Sequence, residues 1–394
     1  MSVRNSRATA VAFVTFATFT DIVAYSIAVP VLPDLSRRLG ASATTIGLLF
    51  SSFGITLLTV SIPSGALSDR VGRRTPLVVG LLALAAATLL FAFSNSLALL
   101  FSARLVQGAA DAVTWVVGFA LIADLYGAQE RGRVTGIVMS GTSFAFMIGP
   151  SLGGWLYEIG GMRMPFIAVC AMALVSAGTF AWFQIPPAQA PREPVPILAV
   201  VREPAIASCT AAVVAASATI SMLEPILALH LATLGIGPAR TGVLFGVAAV
   251  ATMTVNPVYG RLADRFGARR MTIIGLVVSA CSLPLTARAW NFESALWLYL
   301  VQATGVALVI TPSLAYMGEA TSEAGLGSFG VAYGLYNMAW GVGLLGGPAL
   351  GGFLYERIGF ARLGLVWAPV VILVTMALAR VRSRPVEARL DTSG

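Results

Sequence analysis

The chain has no lysine, a single histidine and three cysteines among 394 residues, and only 11% of its residues are charged. Soluble domains average roughly 25% charged residues, so this scarcity excludes an ordinary soluble domain. His230 stands alone, and Cys170, Cys209 and Cys281 are scattered without CxxC spacing. That excludes a zinc or iron–sulfur site and a disulfide framework, and no metal or cofactor is expected. There is no HExxH, and the match of Gly149-Pro150-Ser151-Leu152-Gly153 to GxSxG lies inside an apolar run of helix length and not at a strand-to-helix turn, so neither the metalloprotease nor the serine-hydrolase class is supported. What fills the chain instead is apolar: 57% hydrophobic residues and a mean hydropathy of +0.86. The expected solvent is a lipid bilayer.

A helix needs about 20 apolar residues to cross that bilayer. Twelve such runs are predicted, at 9–33, 44–68, 75–94, 97–123, 133–157, 164–184, 204–234, 239–262, 271–289, 294–318, 327–354 and 361–380. The net charge of +8 would suggest nucleic acid in a soluble protein. Here all 25 basic residues are arginine, and their placement accounts for the excess. With both termini inside, seventeen arginines fall in cytoplasmic tails and loops and seven in outer loops, an N-in, C-in bias. No nucleic-acid partner is expected. The arginine-only basic set points to a GC-rich bacterial genome, and hence to a bacterial plasma (inner) membrane.

One phrase is written twice. Gly65-Ala-Leu-Ser-Asp69-Arg70-Val-Gly72-Arg73-Arg74 returns 195 residues later as Gly260-Arg-Leu-Ala-Asp264-Arg265-Phe-Gly267-Ala-Arg269-Arg270. Gly149-Pro150-Ser-Leu-Gly153-Gly154 likewise returns as Gly347-Pro348-Ala-Leu-Gly351-Gly352. Between the copies lies the proline-rich stretch 186–196, which cannot continue a helix. The predicted organisation is a six-helix bundle at 1–185, a cytoplasmic linker at 186–203, a second bundle at 204–381 and a tail at 382–394. Two such repeats enclose a cavity near the bilayer midplane and expose it to each side in turn.

Asp21 lies mid-span in the first run, where a carboxylate costs at least about 2.5 kcal/mol. It is therefore expected to face the cavity, releasing a cation when protonated and attracting one when ionised; satisfaction by Thr18 or Thr20 is the competing reading. Glu224 occupies the position of the seventh run that matches Val29, roughly 12 Å beyond Asp21 along straight helices. It is read as a second acid, or else as a structural glutamate. Arg104, Gln107 and Asp111 share one stripe of the fourth run. There Asp111 is either a further titratable group or the counter-charge of Arg104. Tyr333, Tyr336, Asn337 and Trp340 form a stripe of the eleventh, suited to organic cations, which aromatic faces attract by roughly 0.5–2 kcal/mol, or simply to packing. Gly343, Gly347 and Gly351 recur every fourth residue, the spacing of close helix contact. His230 is read as an interfacial residue.

The paired Gly-x-Leu-x-Asp-Arg-x-Gly loops, Arg104-x-x-Gln107-Gly108, and Gly141 followed by Gly149-Pro150-x-x-Gly153-Gly154 resemble motifs of the major facilitator superfamily, specifically its twelve-helix drug:proton antiporters and bacterial multidrug exporters. Asp21 nine residues before Pro30, Leu223-Glu224-Pro225 and the tyrosine-rich eleventh run resemble the vesicular monoamine transporters. The resemblance implies an all-α membrane protein with twelve helices in two pseudo-symmetric bundles. It implies proton coupling through Arg104 and Gln107, and a tight contact between halves at Gly141, Gly149, Pro150, Gly153, Gly347 and Pro348. It also implies a cytoplasmic latch at Gly65, Asp69, Arg70, Gly72, Arg73, Asp264 and Arg265. Those transporters carry an acid in the eleventh helix where this chain has Asn337. The expected activity is proton-coupled export of lipophilic organic cations, amines or drugs by a monomer. The alternatives are export of a neutral metabolite or sugar and, more remotely, a membrane sensor or enzyme.

Overall fold

The computed structural model describes residues 3–182, 203–323 and 329–380. The expected linker, save Glu203, and the tail at 382–394 lie outside these residues. All regular structure among them is helical: α1 (Val3–Ser26), α2 (Leu32–Leu39), α3 (Ala43–Val71), α4 (Arg74–Phe93), α5 (Leu97–Leu125), α6 (Ala128–Gly160), α7 (Met164–Trp182), α8 (Pro204–Thr233), α9 (Pro238–Phe266), α10 (Ala268–Thr286), α11 (Phe292–Glu323) and α12 (Phe329–Arg380), with a 3-10 turn at Val29–Val31.

Two boundaries differ from expectation. The first run does not continue unbroken to 33, because Pro30 has no amide to donate and α1 stops at Ser26. The last two runs are continuous in α12, so that among the described residues eleven helices are long and apolar enough to cross a membrane, with α12 standing for both of the expected last two. Gly359, at φ 77°, turns the chain between the two arms of α12, 329–358 and 360–380. Only glycine takes that backbone conformation cheaply.

Local chemistry sets several ends. Ser42 and Ser96 accept from the backbone amides of Thr45 and Leu99, capping α3 and α5. The repeat-equivalent Gly72 and Gly267 both adopt positive φ, 83° and 92°, as the α3–α4 and α9–α10 turns require. The next repeat pair ties each half together: Arg74 donates to the Phe180 carbonyl and Arg269 to that of Leu378. Each arginine thus satisfies orphan carbonyls at the end of its own half's last helix.

The halves meet through two quasi-equivalent joints, α3 with α12 and α6 with α9. At the first, Gly47 and Gly352 bring the backbones so close that a methyl on either would overlap Pro348 or Ala43. At the second, a methyl on Gly242 would stand 2.5 Å from the Pro150 carbonyl oxygen, and one on Gly154 2.6 Å from that of Pro238. Polar groups close the same end. Ser151 donates to the Gly242 carbonyl (3.0 Å), the Ala349 amide donates to Ser51 (2.9 Å), and the Thr44 amide donates to Glu356 (3.0 Å). Toward the other end the halves part. Ile62 is 68% exposed, Met253 51% exposed, and Gly260 and Gly334 face open space.

Candidate functional site

Five charged side chains are buried among the described residues: Asp21, Arg73, Arg104, Asp111 and Glu224. Four of them converge where α1, α5 and α8 come together, on the open side of the joint between Pro150 and Gly242, at whose level Ser26 packs on Gly149.

Arg104 is fully buried in a cage of aromatic rings, its guanidinium 4.2 Å from the centroid of Phe50, 5.2 Å from Phe91 and 5.6 Å from Tyr25. One nitrogen donates to Gln107 (3.3 Å), which donates onward to Thr88 (3.4 Å). Its Nε and Nη2 have no hydrogen-bond partner. The titratable groups that face it are the neutral Tyr25 phenol and, from the opposite half, the Glu224 carboxyl. It makes no ion pair with Asp111, so the counter-charge reading of Asp111 fails: two helical turns separate them, about 10 Å.

Glu224 on α8 lies beside Tyr25 and within electrostatic reach of Arg104, yet its Oε2 and the Tyr25 hydroxyl are both unpartnered. Tyr25 is one turn from Asp21, about 6 Å along α1. Glu224 is therefore nearer the level of Asp21 than the repeat alignment suggests, because Pro30 ends the helix that alignment assumed to be straight.

Asp21 approaches Thr114 and Asp111 on α5, and its Oδ2 is buried without a partner. Thr18 and Thr20 do not satisfy it; their hydroxyls donate to the carbonyls of Val14 and Phe16. The Trp115 indole nitrogen, one turn beyond Asp111, is directed toward that carboxylate without closing a hydrogen bond. Such orphaned buried groups are costly. Six such atoms, on Asp21, Tyr25, Arg104, Trp115 and Glu224, are gathered here, donors and acceptors together.

The stripe on α12 stands apart from this network. Tyr336 donates to the Ile310 carbonyl (3.3 Å) and packs with Val213 and Ala339, Trp340 flanking them; Asn337 is half-buried. The Tyr333 side chain lies outside the described residues. Gly343, Gly347 and Gly351 pack on Ser217, Ala218 and Met222 of α8, inside their own half. The contact between halves expected of this four-residue stripe is made one residue off, by Gly352. Gly141, Gly149 and Gly153 likewise pack on α1. His230 contacts Phe360 and the Ala289 carbonyl.

At the loops, the ion pairs stay inside the N-terminal half: Arg73 binds Asp69 (2.5 Å), Asp124 (2.9 Å) and Ser68 (2.6 Å). Among the described residues Asp264 and Arg265 form no salt bridge, and Arg265 lies over Phe266. No ion pair among the described residues crosses between the halves. Removing Arg73 breaks its ion pairs with Asp69 and with the mostly buried Asp124, a loss of about 1–3 kcal/mol. Arg73→Ala is expected to lower the unfolding midpoint in detergent by several degrees, whereas the exposed Arg70→Ala leaves it within a degree or so.

Tyr25, Phe50, Phe91, Thr114 and Trp115 are the site residues that sequence reasoning missed. Tyr25 and Trp115 lie one turn from the two aspartates, a readable signal. Phe50 and Phe91 come from other helices and carried none.

Residues 14–206 and 207–393 each match the Major Facilitator Superfamily. The probable vesicular acetylcholine transporter-B of Danio rerio is 29% identical over 383 residues, 92% of this chain and 77% of its own length. The synaptic vesicular amine transporter of Homo sapiens is 27% identical over 358 residues, 90% of this chain and 70% of its own. Among solved structures, a bacterial homologue of the human lysosomal transporter Spinster, crystallised inward-facing and unoccupied, superposes with a TM-score of 0.76 at 15% identity, covering 96% of this chain and 99% of its own. The chain belongs to the Major Facilitator Superfamily: it is a multi-pass membrane transporter, not an enzyme.

Proposed function

We propose that this transporter exchanges protons for lipophilic organic cations, amines or drugs, by alternating access, as a monomer in a bacterial inner membrane with both termini cytoplasmic. The observation that carries the reading is the pair of buried carboxylates, Asp21 from one half and Glu224 from the other, each with an unpartnered oxygen. A carboxylate that has no fixed counter-ion can hold a proton or a cation, and it cannot comfortably hold neither. Aromatic rings at Tyr25, Phe50 and Tyr336 suit the apolar body of such a cation. The vesicular relatives are named for acetylcholine and for amines, substrates that share a positive nitrogen.

On this reading Asp21, Asp111, Glu224 and Arg104 handle the proton, while Asp21, Glu224, Gln107, Tyr333, Tyr336, Asn337 and Trp340 receive the substrate. With the arginine-rich loops inside, the sealed end is the outer one and the open end faces the cytoplasm. An apolar groove of about 690 Å³ between α1 and α6, lined by Val11, Thr15, Phe19, Tyr126, Ile137 and Phe144, lies within the N-terminal half, and none of the proposed substrate residues lines it. The Asp69/Arg70 and Asp264/Arg265 loops act as a latch that this inward-open arrangement leaves unfastened.

The test is a panel of aromatic amines, quaternary cations, sugars and neutral drugs added to sealed proteoliposomes holding a pH gradient. Cations are expected to dissipate it. In Glu224→Gln, apparent cation affinity should fall about tenfold or more, with neutral compounds inert in both proteins. Dissipation by a neutral solute alone would discard the cation reading and install the exporter of a neutral metabolite.

A further inference from the structure

The packing of α1 against α5 is antiparallel. Val14 lies against Gly118, where an added methyl would stand 3.1 Å from Val14 Cγ1. Eleven residues on, the Tyr25 ring lies by Arg104. Between these two contacts eleven residues of α1 run against fourteen of α5, which brings Asp21 to about the level of Asp111, within electrostatic reach of it. The side chains are 3% and 6% exposed. Among the described residues no cation is paired with them. Arg104 is turned to Tyr25 and Glu224, α6 and α7 present Gly141, Gly149 and Phe180 to α1, and α4 offers Thr88 to Gln107.

Hydrogen-bond donors to Asp21 are short as well, the Trp115 indole nitrogen being directed at Asp111. The Thr114 hydroxyl between the two acids spends its hydrogen on the Ala110 carbonyl (3.0 Å), as Thr18 and Thr20 spend theirs on α1. Asp21 Oδ2 is left buried and unpartnered. Two facing carboxylates in a low dielectric cannot both ionise, and one proton held between them supplies the missing hydrogen bond and removes the repulsion.

We propose that Asp21 and Asp111 hold one proton between them, and that Asp111 is thereby a second proton-handling group of the N-terminal half. This deepens the proton-exchange reading and rests on it for its role in transport. The pair carries a single negative charge at rest. An arriving cation displaces the shared proton to the open side, leaving two carboxylates around one positive charge. Departure of the cation to the other side lets the pair take up a proton there. Because the proton belongs to the pair and not to one residue, removing either aspartate leaves the other buried but without the carboxyl partner that shared its proton.

The test needs no substrate, so its failure is distinguishable from failure of the transport assay above. The full chain carrying Glu224→Gln, purified in detergent and labelled with ¹³C-aspartate, is titrated by infrared difference spectroscopy through the protonated-carboxyl stretch. One aspartic acid band is expected near neutral pH. The midpoint of its titration should shift by about tenfold in proton concentration or more in Asp111→Asn and in Asp21→Asn alike, and the double variant should lose the band. Asp111→Ser supplies the same readout should the asparagine variant not fold. A midpoint unmoved in both Asp111 variants, or a band absent from the parent, overturns the shared proton.

Discussion

Asp21→Asn is expected to lose proton-driven export by about a hundredfold or more while remaining folded and monodisperse in detergent. Asparagine keeps the shape, so α1 still packs on α5 and α6; what disappears is the group that can be alternately charged and neutral. A proton descending 100 mV supplies about 2.3 kcal/mol, and a pH gradient adds to it. Without a titrating group at Asp21 that energy has no route to the substrate, and what remains is slow equilibration. The check is uphill uptake into inside-out proteoliposomes set against exchange at equal concentrations on both sides. Undiminished uphill uptake by the variant would remove Asp21 from the coupling.

The second large effect lies at the seal. Gly47→Ala and Gly242→Ala, introduced together, place methyl groups against the carbonyls of Pro348 and Pro150. These are backbone atoms, which cannot swing aside as a side chain would. Overpacking of this kind costs roughly 1–3 kcal/mol per site, and each 1.4 kcal/mol is tenfold in an equilibrium. The sealed conformation should therefore lose at least about tenfold in population to one open at the opposite end, and net transport should fall with it. A cysteine placed at Ser151, in a chain whose three native cysteines have been replaced, reports this by its labelling with a membrane-impermeant maleimide from outside. Gly260→Ala, whose methyl meets nothing, is the control and should label as slowly as the parent. Equal labelling in all three proteins would mean that these joints do not gate the pathway.

Much of this protein was determined along the chain itself. The transmembrane runs, the two-fold repeat and the turn glycines at 72 and 267 follow from hydropathy and from backbone sterics, which are local properties. The repeat even predicts equivalences that the structure honours in detail, such as Arg74 and Arg269, each capping its own half. What the chain could not express is which face meets which. Arg104 and Asp111 share a stripe and look like partners, but the crossing of α1 over α5 gives Asp111 to Asp21, and the aromatic cage turns Arg104 toward Glu224. Gly347 and Gly351 read as a seam between halves, yet the rotation of α12 hands that seam to Gly352 and packs the others on α8. Periodicity fixes the stripe on a helix; the partner of that stripe is decided by register and crossing angle, which depend on every neighbouring side chain at once and so exist only in the tertiary structure.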